Sequence, residues 1–237
     1  ALGIEESELD VDYLDTDGAG GVDAQLLNAA VTIHKTVTVM SDKIEDTYSE
    51  IGETIGTAND ASGAVYTALA NAIVDAVNNS ETPEDVDLNM IVSDPDTMVQ
   101  VMDQAEEEVK DTYEEKDLDL PPDMGSTDNP NQLADTATVA SAIPAVVDAV
   151  IDEDATDLTA EDAGGGVKAV EAVVIKVVED DTNTDESVDA AINFFTDTNN
   201  AELVTALTQS LGSDTGDVTG LAANDFSGDD FDSVEEI

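Results

Sequence analysis

The sequence predicts a mainly α-helical protein, built as one or two small helical bundles with irregular acidic loops and an acidic tail. Two observations support this fold class. Apolar residues recur at steps of three and four through most of the longer segments, which is the period of an amphipathic helix. Typical helix-start residues precede some of these segments, as where Asp94 stands before Pro95.

The first long helix is predicted to carry a heptad-like apolar stripe. Its members are Leu26, Ala30, Ile33, Val37, Met40, Ile44, Tyr48, Ile51 and Ile55. A strand is the local alternative over residues 31–39, where Val and Ile alternate with other residues, but the longer helical pattern outweighs it. Gly52 and Gly56 are expected to loosen or end the helix. Because the stripe is longer than a small bundle needs, we expect part of it to contact a neighbouring subunit.

Two more helices are predicted before residue 114. One covers residues 61–78, and its apolar face consists of Val65, Leu69, Ala72, Ile73 and Val77. The other comes after Pro95, and its single stripe consists of Met98, Met102, Ala105, Val109 and Tyr113. Each has one apolar side, as expected for helices that share a core.

Two further long helices are predicted after residue 132. The stripe of the first consists of Ala137, Ala140, Ile143, Val147 and Val150. Pro144 should kink or start that helix. Thr159 and Asp162 form a capping box ahead of the second, whose face consists of Val167, Val170, Val174 and Val177. A glycine triplet at residues 164–166 leaves its exact start open.

Two short helices are predicted near the end of the chain, over residues 188–195 and 201–211. Asn199 or Asn200 is expected to cap the second, and Gly212 to close it. The residues beyond are rich in Gly and Asp and are expected to be irregular.

A linker is predicted where three prolines and many charges interrupt the periodicity. All four tyrosines precede this segment and all four phenylalanines come after it, which suggests two separate packing units. The predicted organisation is an N-terminal helical unit at 1–113, a linker at 114–132, a C-terminal helical unit at 133–212 and an acidic tail at 213–237.

Charge excludes several classes of partner. The chain has 57 Asp and Glu against 6 Lys and no Arg, which gives a formal net charge of −51. Such a surface repels phosphate backbones and anionic lipid, so we expect no nucleic acid and no direct membrane insertion.

The negative charges of the folded chain also repel each other, so we expect the working protein to need salt or divalent cations. A salt-rich cytoplasm and a calcium-rich extracellular medium both fit. The absence of arginine favours secretion, because arginine forms the best ion pairs with carboxylates.

Two acidic clusters are candidate calcium sites. They consist of Asp10, Asp12, Asp15 and Asp17, and of Asp225, Asp229, Asp230 and Asp232. Calcium prefers carboxylate and carbonyl oxygens from a loop. An EF-hand aligned on Gly18 fails, because its first and last ligand positions fall on Tyr13 and Ala24. Any site here would be irregular, and a solvated acidic turn is the alternative at each cluster.

The sequence predicts no enzyme. His34 is the one histidine, and the chain has no cysteine to act as a nucleophile. His34 is more simply interpreted as a residue on the flank of a structural helix. A hydrolase that uses only carboxylates is the last-ranked alternative, because no acidic pair stands out and the aromatic platforms of sugar sites are missing.

Residues 2–42, "LGIEESELDVDYLDTDGAGGVDAQLLNAAVTIHKTVTVMSD", resemble a helical segment of large secreted bacterial proteins of the calcium-dependent adhesin and repeats-in-toxin type. "VYTALANAIVDAVNN" and "DVDLNMIVSDPDTM" are similar to the next segment of those proteins, so the likeness covers residues 2–108. The resemblance implies export, calcium-rich surroundings and a structural or adhesive role. The nonapeptide repeats and the usual upstream segment are missing, so no binding residues are carried over.

The predicted function is that of a secreted acidic structural protein, a subunit of a cell-surface or extracellular filament, layer or adhesin stabilised by calcium or salt. Expected partners are copies of the chain, other surface proteins and divalent cations. The alternative is a salt-adapted helical module that binds a small ligand or a protein partner. Because the chain begins at Ala1 and not at Met, we expect that a preceding piece was removed or is not included.

Overall fold

The chain is helical throughout most of the part that the structure describes. The computed structural model describes residues 23–49, 59–82, 86–116, 120, 123–124, 132–152, 158–179 and 186–212. Within these residues there are eight α-helices and no strand, which confirms the mainly α class. They are α1 (Ala24–Ser49), α2 (Asn59–Asn79), α3 (Leu88–Val92), α4 (Pro95–Glu115), α5 (Gln132–Val150), α6 (Ala160–Glu179), α7 (Glu186–Thr196) and α8 (Ala201–Gly212).

Helix α1 is continuous, so the strand alternative at 31–39 is wrong. Its start is fixed by Asp23, whose Oδ1 accepts a hydrogen bond from the backbone N–H of Leu26 at 3.0 Å. In its second half the predicted stripe is buried, at Val37, Met40, Ile44 and Tyr48. The later stripe positions Ile51 and Ile55 lie outside the described residues, as do Gly52 and Gly56.

The first half of α1 is buried on more sides than the sequence predicted. The predicted positions there are only half-buried, at Leu26, Ala30 and Ile33. The buried positions are Ala24, Leu27, Asn28, Val31, Thr32, Lys35 and Thr36. Four of these side chains are polar, so hydrophobic periodicity alone could not have marked them as interior.

Side-chain caps fix two of the predicted helix starts. Asp94 accepts a hydrogen bond from the backbone N–H of Asp96 at 3.3 Å, and Pro95 is the first residue of α4, as predicted. Thr159 accepts a hydrogen bond from the backbone N–H of Asp162 at 3.1 Å, and its hydroxyl donates to that carboxylate at 2.6 Å. This interaction confirms the capping pair ahead of α6.

The start of α8 and the path of α5 differ in detail from the predictions. A 3-10 turn (Thr198–Asn200) leads directly into α8, and Asp197 caps it by accepting from the backbone N–H of Asn199 at 2.9 Å. The predicted cap at Asn199 or Asn200 is therefore wrong, because both residues already lie inside the helical turn. Helix α5 runs through Pro144, so that proline does not start it.

The described residues belong to two compact units. Unit 1 contains those from Thr36 to Ser141, and unit 2 contains those up to Lys35 and from Ala142 onward. Helices α1 and α5 thus contribute residues to both units. The predicted division at 114–132 stays a prediction, although Met124 of that segment is buried and belongs to unit 1.

Unit 1 is built around a contact between α2 and α4, and the short helix α3 contacts both of them. Tyr48 and Tyr113 meet edge to face, with ring centroids 5.0 Å apart. All five positions predicted for the stripe of α4 are buried, as are Val65 and Leu69 of α2. The interior therefore consists mainly of Met, Val and Ala side chains, with the two tyrosine rings as its largest members.

Unit 2 is built around a close contact between α6 and α8, and α7 contacts α6. Phe194 and Phe195 meet edge to face, with ring centroids 5.1 Å apart.

Gly165 of α6 allows the close approach to α8. A Cβ added at Gly165 would overlap the carbonyl oxygen of Thr208 on α8, whereas a Cβ added at Gly164 would meet nothing within 4 Å. A Cβ added at Gly166 would lie 2.9 Å from the carbonyl oxygen of Val150, so two members of the glycine triplet are required by packing and Gly164 is not.

Candidate functional site

The predicted calcium ligands cannot be placed. All eight aspartates lie outside the described residues, namely Asp10, Asp12, Asp15, Asp17, Asp225, Asp229, Asp230 and Asp232. Among the residues that are described, no three His, Asp or Glu side chains are grouped so that they could hold a metal ion. Calcium binding by the two clusters stays a prediction.

The lysines of the described helices are directed mostly toward internal partners. Lys35 is 8% exposed and pairs with Glu171 of α6, within unit 2. Lys43 is 1% exposed, and its charge opposes the rise that burial causes in the pKa of neighbouring Asp42. Lys168 donates a hydrogen bond to the carbonyl oxygen of Leu211 at 2.7 Å, near the end of α8. These three lysines therefore neutralise other charges and a helix end, whereas Lys116, just past the end of α4, is exposed.

Glu106 is the centre of a buried polar cluster in unit 1. Its Oε1 accepts hydrogen bonds from the backbone N–H of Met124 at 2.8 Å and from Nζ of Lys110 at 2.9 Å. Lys110 also pairs with Asp123. Burial alone would lower the pKa of Lys110, but its hydrogen bonds to Asp123 and Glu106 outweigh burial and raise that pKa. The cluster holds residues 123–124 against α4.

The hydroxyl of Tyr48 lies on the same side of α4 as this cluster, 3.5 Å from the carbonyl oxygen of Glu106. Burial, followed by the nearby Glu106 carboxylate, raises the pKa of Tyr48. The phenol therefore stays protonated over the physiological range. Its ring contact with Tyr113 and its contact with the α4 backbone make it a structural member of the cluster.

Carboxylates dominate the exposed side of α4. The exposed acids of α4 are Asp96, Asp103, Glu107, Glu108, Asp111, Glu114 and Glu115. At the end of α1, burial and then the neighbouring Asp46 raise the pKa of Asp42. Burial, then Asp42 and Asp46, raise the pKa of Glu45. Like charges crowd each other here, and a bound proton or cation would relieve that repulsion.

His34 is an exposed residue of α1. Partial burial, and then the charge of Lys35, lower its pKa. A lowered pKa favours the neutral imidazole at pH 7. The prediction that the chain is not an enzyme stays a prediction.

A pocket with a cavity volume of about 440 Å³ lies in unit 2. It is lined by Ala145, Asp148, Ala149, Phe195, Thr196, Asp197, Thr198, Ala201, Val204 and Thr205. Buried Phe195 and Val204 give it an apolar wall, while Asp148 and Asp197 add carboxylates. Asp148 accepts a hydrogen bond from Nδ2 of Asn28 at 2.9 Å, which fixes its orientation. The arrangement suits a small molecule that combines an apolar body with a cationic group.

Comparison of the chain with protein-family models, with curated proteins and with solved structures gives no match. The resemblance of residues 2–108 to secreted adhesins and repeats-in-toxin proteins therefore stays a prediction. The pocket was not predicted from the sequence, because its lining comes from α5, α7, α8 and the turn between them. No local pattern marks residues that only folding brings together.

Helix α5 is, within the described part of the chain, long and apolar enough to cross a membrane by length and composition alone. Of its most apolar stretch, 44% is buried inside the protein. A core helix meets the same criteria as a membrane span. The prediction that the chain does not insert into membranes stays a prediction.

Proposed function

We propose that the chain is an acidic structural subunit of an extracellular or cell-surface assembly, such as a filament, layer or adhesin. In this proposal calcium or other cations neutralise its carboxylates and allow copies, or other surface proteins, to approach each other. The observation that carries the proposal is the difference, within the described helices, between the lysines, which lie mainly in internal contacts, and the acids, most of which lie at exposed positions. Lys35, Lys43, Lys110 and Lys168 are buried or half-buried and serve internal contacts, whereas every charged residue at an exposed position of the described helices, apart from His34, is an Asp or a Glu.

This difference gives cations a physical role. With 57 acids and 6 lysines, two copies repel each other strongly at low ionic strength. Monovalent salt screens that repulsion, since the Debye length falls from about 30 Å at 0.01 M to about 3 Å at 1 M salt. A divalent cation can also bridge carboxylates of two copies, which screening alone cannot do. Assembly would then respond to calcium at concentrations where sodium has little effect.

The first prediction concerns this cation response. In low-salt buffer with a chelator we expect weak helical order and no assembly. Millimolar calcium should increase the helical circular-dichroism signal and the light scattering, and excess chelator should reverse both. Sodium chloride at equal ionic strength should produce a smaller response, because it screens without bridging. Magnesium chloride is a second control, since magnesium dehydrates reluctantly and bridges carboxylates less readily.

A matched variant tests the origin of the response. Asp103→Asn, Glu107→Gln and Asp111→Asn together neutralise one exposed row of α4, where like charges four residues apart repel. This triple variant should reach full helicity at a lower cation concentration than the unmodified chain. Indifference to calcium, together with dependence on molar sodium chloride, would contradict the proposal and favour a salt-adapted binding module.

A second candidate function, binding of a small ligand, is favoured by the pocket in unit 2. Asp148 lies near the carboxyl end of α5, and no basic residue occupies the last turn of that helix. Both the carboxylate and the helix dipole favour a cation there. The apolar wall would hold the hydrocarbon part of the same ligand.

Titration calorimetry with hexylamine, hexanol and hexanoate would test the pocket, because these probes share a chain and differ in charge. We expect binding in the order amine, alcohol, carboxylate. Ala149→Trp should fill the pocket and abolish amine binding. Ala134→Trp is the matched control, since Ala134 is an exposed alanine of the same helix that does not line the pocket. Equal heats for all three probes would exclude this candidate.

A further inference from the structure

The outer face of α2 is uncharged, in a chain where more than one residue in four is charged. Residues 61–74 contain no Asp, Glu or Lys. The side of α2 opposite its buried residues consists of the exposed residues Gly63, Tyr66, Thr67, Ala70 and Val74 and of half-buried Val77, which was predicted to lie on the other side with Val65 and Leu69. We call these six residues the neutral face. Tyr66 is 43% and Val74 is 54% exposed, so two large apolar side chains face solvent there.

The neighbouring helix α4 provides a comparison within the same unit. Helices α2 and α4 have the same length and contact each other. The exposed side of α4 carries seven acids. Among the positions of α2 whose exposure is described, one exposed residue is an acid, Asp75. Two of the four large apolar side chains that are exposed among the described residues, Tyr66 and Val74, also lie on α2, and none lies on α4.

Gly63 is a second, independent feature of the neutral face. A glycine inside a helix lowers helix stability relative to alanine. Internal packing does not require it, because a Cβ added at Gly63 would meet nothing within 4 Å. The hydroxyl of Thr67 already donates to the carbonyl oxygen of Gly63 at 2.9 Å, so covering Thr67 would leave no donor unsatisfied. Glycine, alanine and an internally bonded threonine let another helix approach closely.

We infer that the neutral face binds the same face of a second copy of this chain. A chain of charge −51 meets the least repulsion from its own copies where both surfaces are uncharged. The contact would be self-complementary, with Ala70 near its centre and Tyr66 and Val74 as apolar anchors. This inference rests on the proposed function as a structural subunit, and assigns one surface to it.

The size of the face indicates a weak contact. With 21 residues, α2 is about 30 Å long and about 10 Å wide. Its outer face therefore offers roughly 300 Å² per copy, against roughly 800 Å² per partner in a standard stable interface. We therefore expect association at high protein concentration and in salt that screens the surrounding carboxylates. Repeated contacts would strengthen it in an assembly.

Analytical ultracentrifugation of the full chain in molar sodium chloride, over a range of concentrations, tests the inference. Val74→Glu places a carboxylate on each of the two contacting faces and should weaken self-association about tenfold or more. Gln104→Glu is the matched control, because it adds the same charge to an exposed position of α4 and should leave association unchanged. Circular dichroism of both variants should match that of the unmodified chain, since neither position is buried.

Cysteine cross-linking tests whether a second copy binds the neutral face. An introduced cysteine can be cross-linked selectively, because the chain contains no cysteine of its own. Oxidised Ala70→Cys should form a covalent dimer, and Gln104→Cys should not. Equal cross-linking of both variants, or equal association of Val74→Glu and Gln104→Glu, would overturn the assignment of the face while leaving the proposed function intact. A chain that stays monomeric in salt and in calcium would overturn both. Dimerisation without cross-linking at residue 70 would place the contact elsewhere.

Discussion

Gly165→Ala is expected to destabilise unit 2 by about 2 kcal/mol. The added methyl would overlap the carbonyl oxygen of Thr208 and lie 2.8 Å from its carbonyl carbon, so the backbone of α8 would have to move. Overpacking of this kind costs about 3 kcal/mol, which exceeds the gain of about 1 kcal/mol from replacing a helical glycine. Urea unfolding in salt, followed by circular dichroism, would measure the loss.

Gly164→Ala is the control for this prediction. It makes the same chemical change one residue earlier, where the new Cβ meets nothing within 4 Å. It should stabilise the chain by about 0.5–1 kcal/mol. The two adjacent variants are therefore expected to shift the unfolding midpoint in opposite directions. A shift of the same sign and size for both would contradict the close contact between α6 and α8.

Glu106→Ala is expected to destabilise unit 1 by about 3 kcal/mol. The change removes the acceptor of the Met124 backbone N–H and leaves that buried donor unsatisfied, at a cost of about 1–3 kcal/mol. It also leaves a cavity in place of a side chain that is 4% exposed. Hydrogen exchange at the Met124 amide provides a local readout, and its protection should fall more than that of the α4 amides.

Two variants separate the contributions at this position. Glu106→Gln retains an oxygen that can accept from Met124 but removes the charge that faces Lys110, so its effect should be smaller than that of alanine. Glu107→Ala removes an exposed acid from the next position and should change stability by less than about 0.5 kcal/mol. If Glu106→Ala behaved like Glu107→Ala, the cluster around Glu106 would not hold residues 123–124 in place.

Amphipathic segments with capping residues could be predicted well from the sequence. The five stripe positions of α4 are all buried, and its start at Asp94 and Pro95 is as expected. The cap at Thr159 was equally predictable, since a cap depends on residues three apart in the chain. Helix α4 exposes one side to solvent, so its polar and apolar residues segregate in the sequence.

Helix α1 and the helix starts near residue 200 were predicted less well. The first half of α1 is buried on several sides, so its interior positions include Asn28 and Thr32. The buried hydroxyl of Thr32 has no hydrogen-bond partner among the described groups. Buried polar groups normally have one, so nothing in the sequence suggested that Thr32 lies in the interior. At α8, a 3-10 turn moved the cap to Asp197. The burial of α1 depends on neighbours that are distant in the chain, whereas the cap at Asp197 is a local hydrogen bond to Asn199.

The sequence by itself determined the helical class, the helix starts marked by caps and a surface that carries excess negative charge. These properties arise from periodicity, local hydrogen bonds and composition, which depend on neighbouring residues. Only the tertiary structure decided which glycine of residues 164–166 lies against α8, which partners the buried lysines take and which face of α2 stays exposed. Those outcomes depend on contacts between residues far apart in the chain, and no local pattern records them.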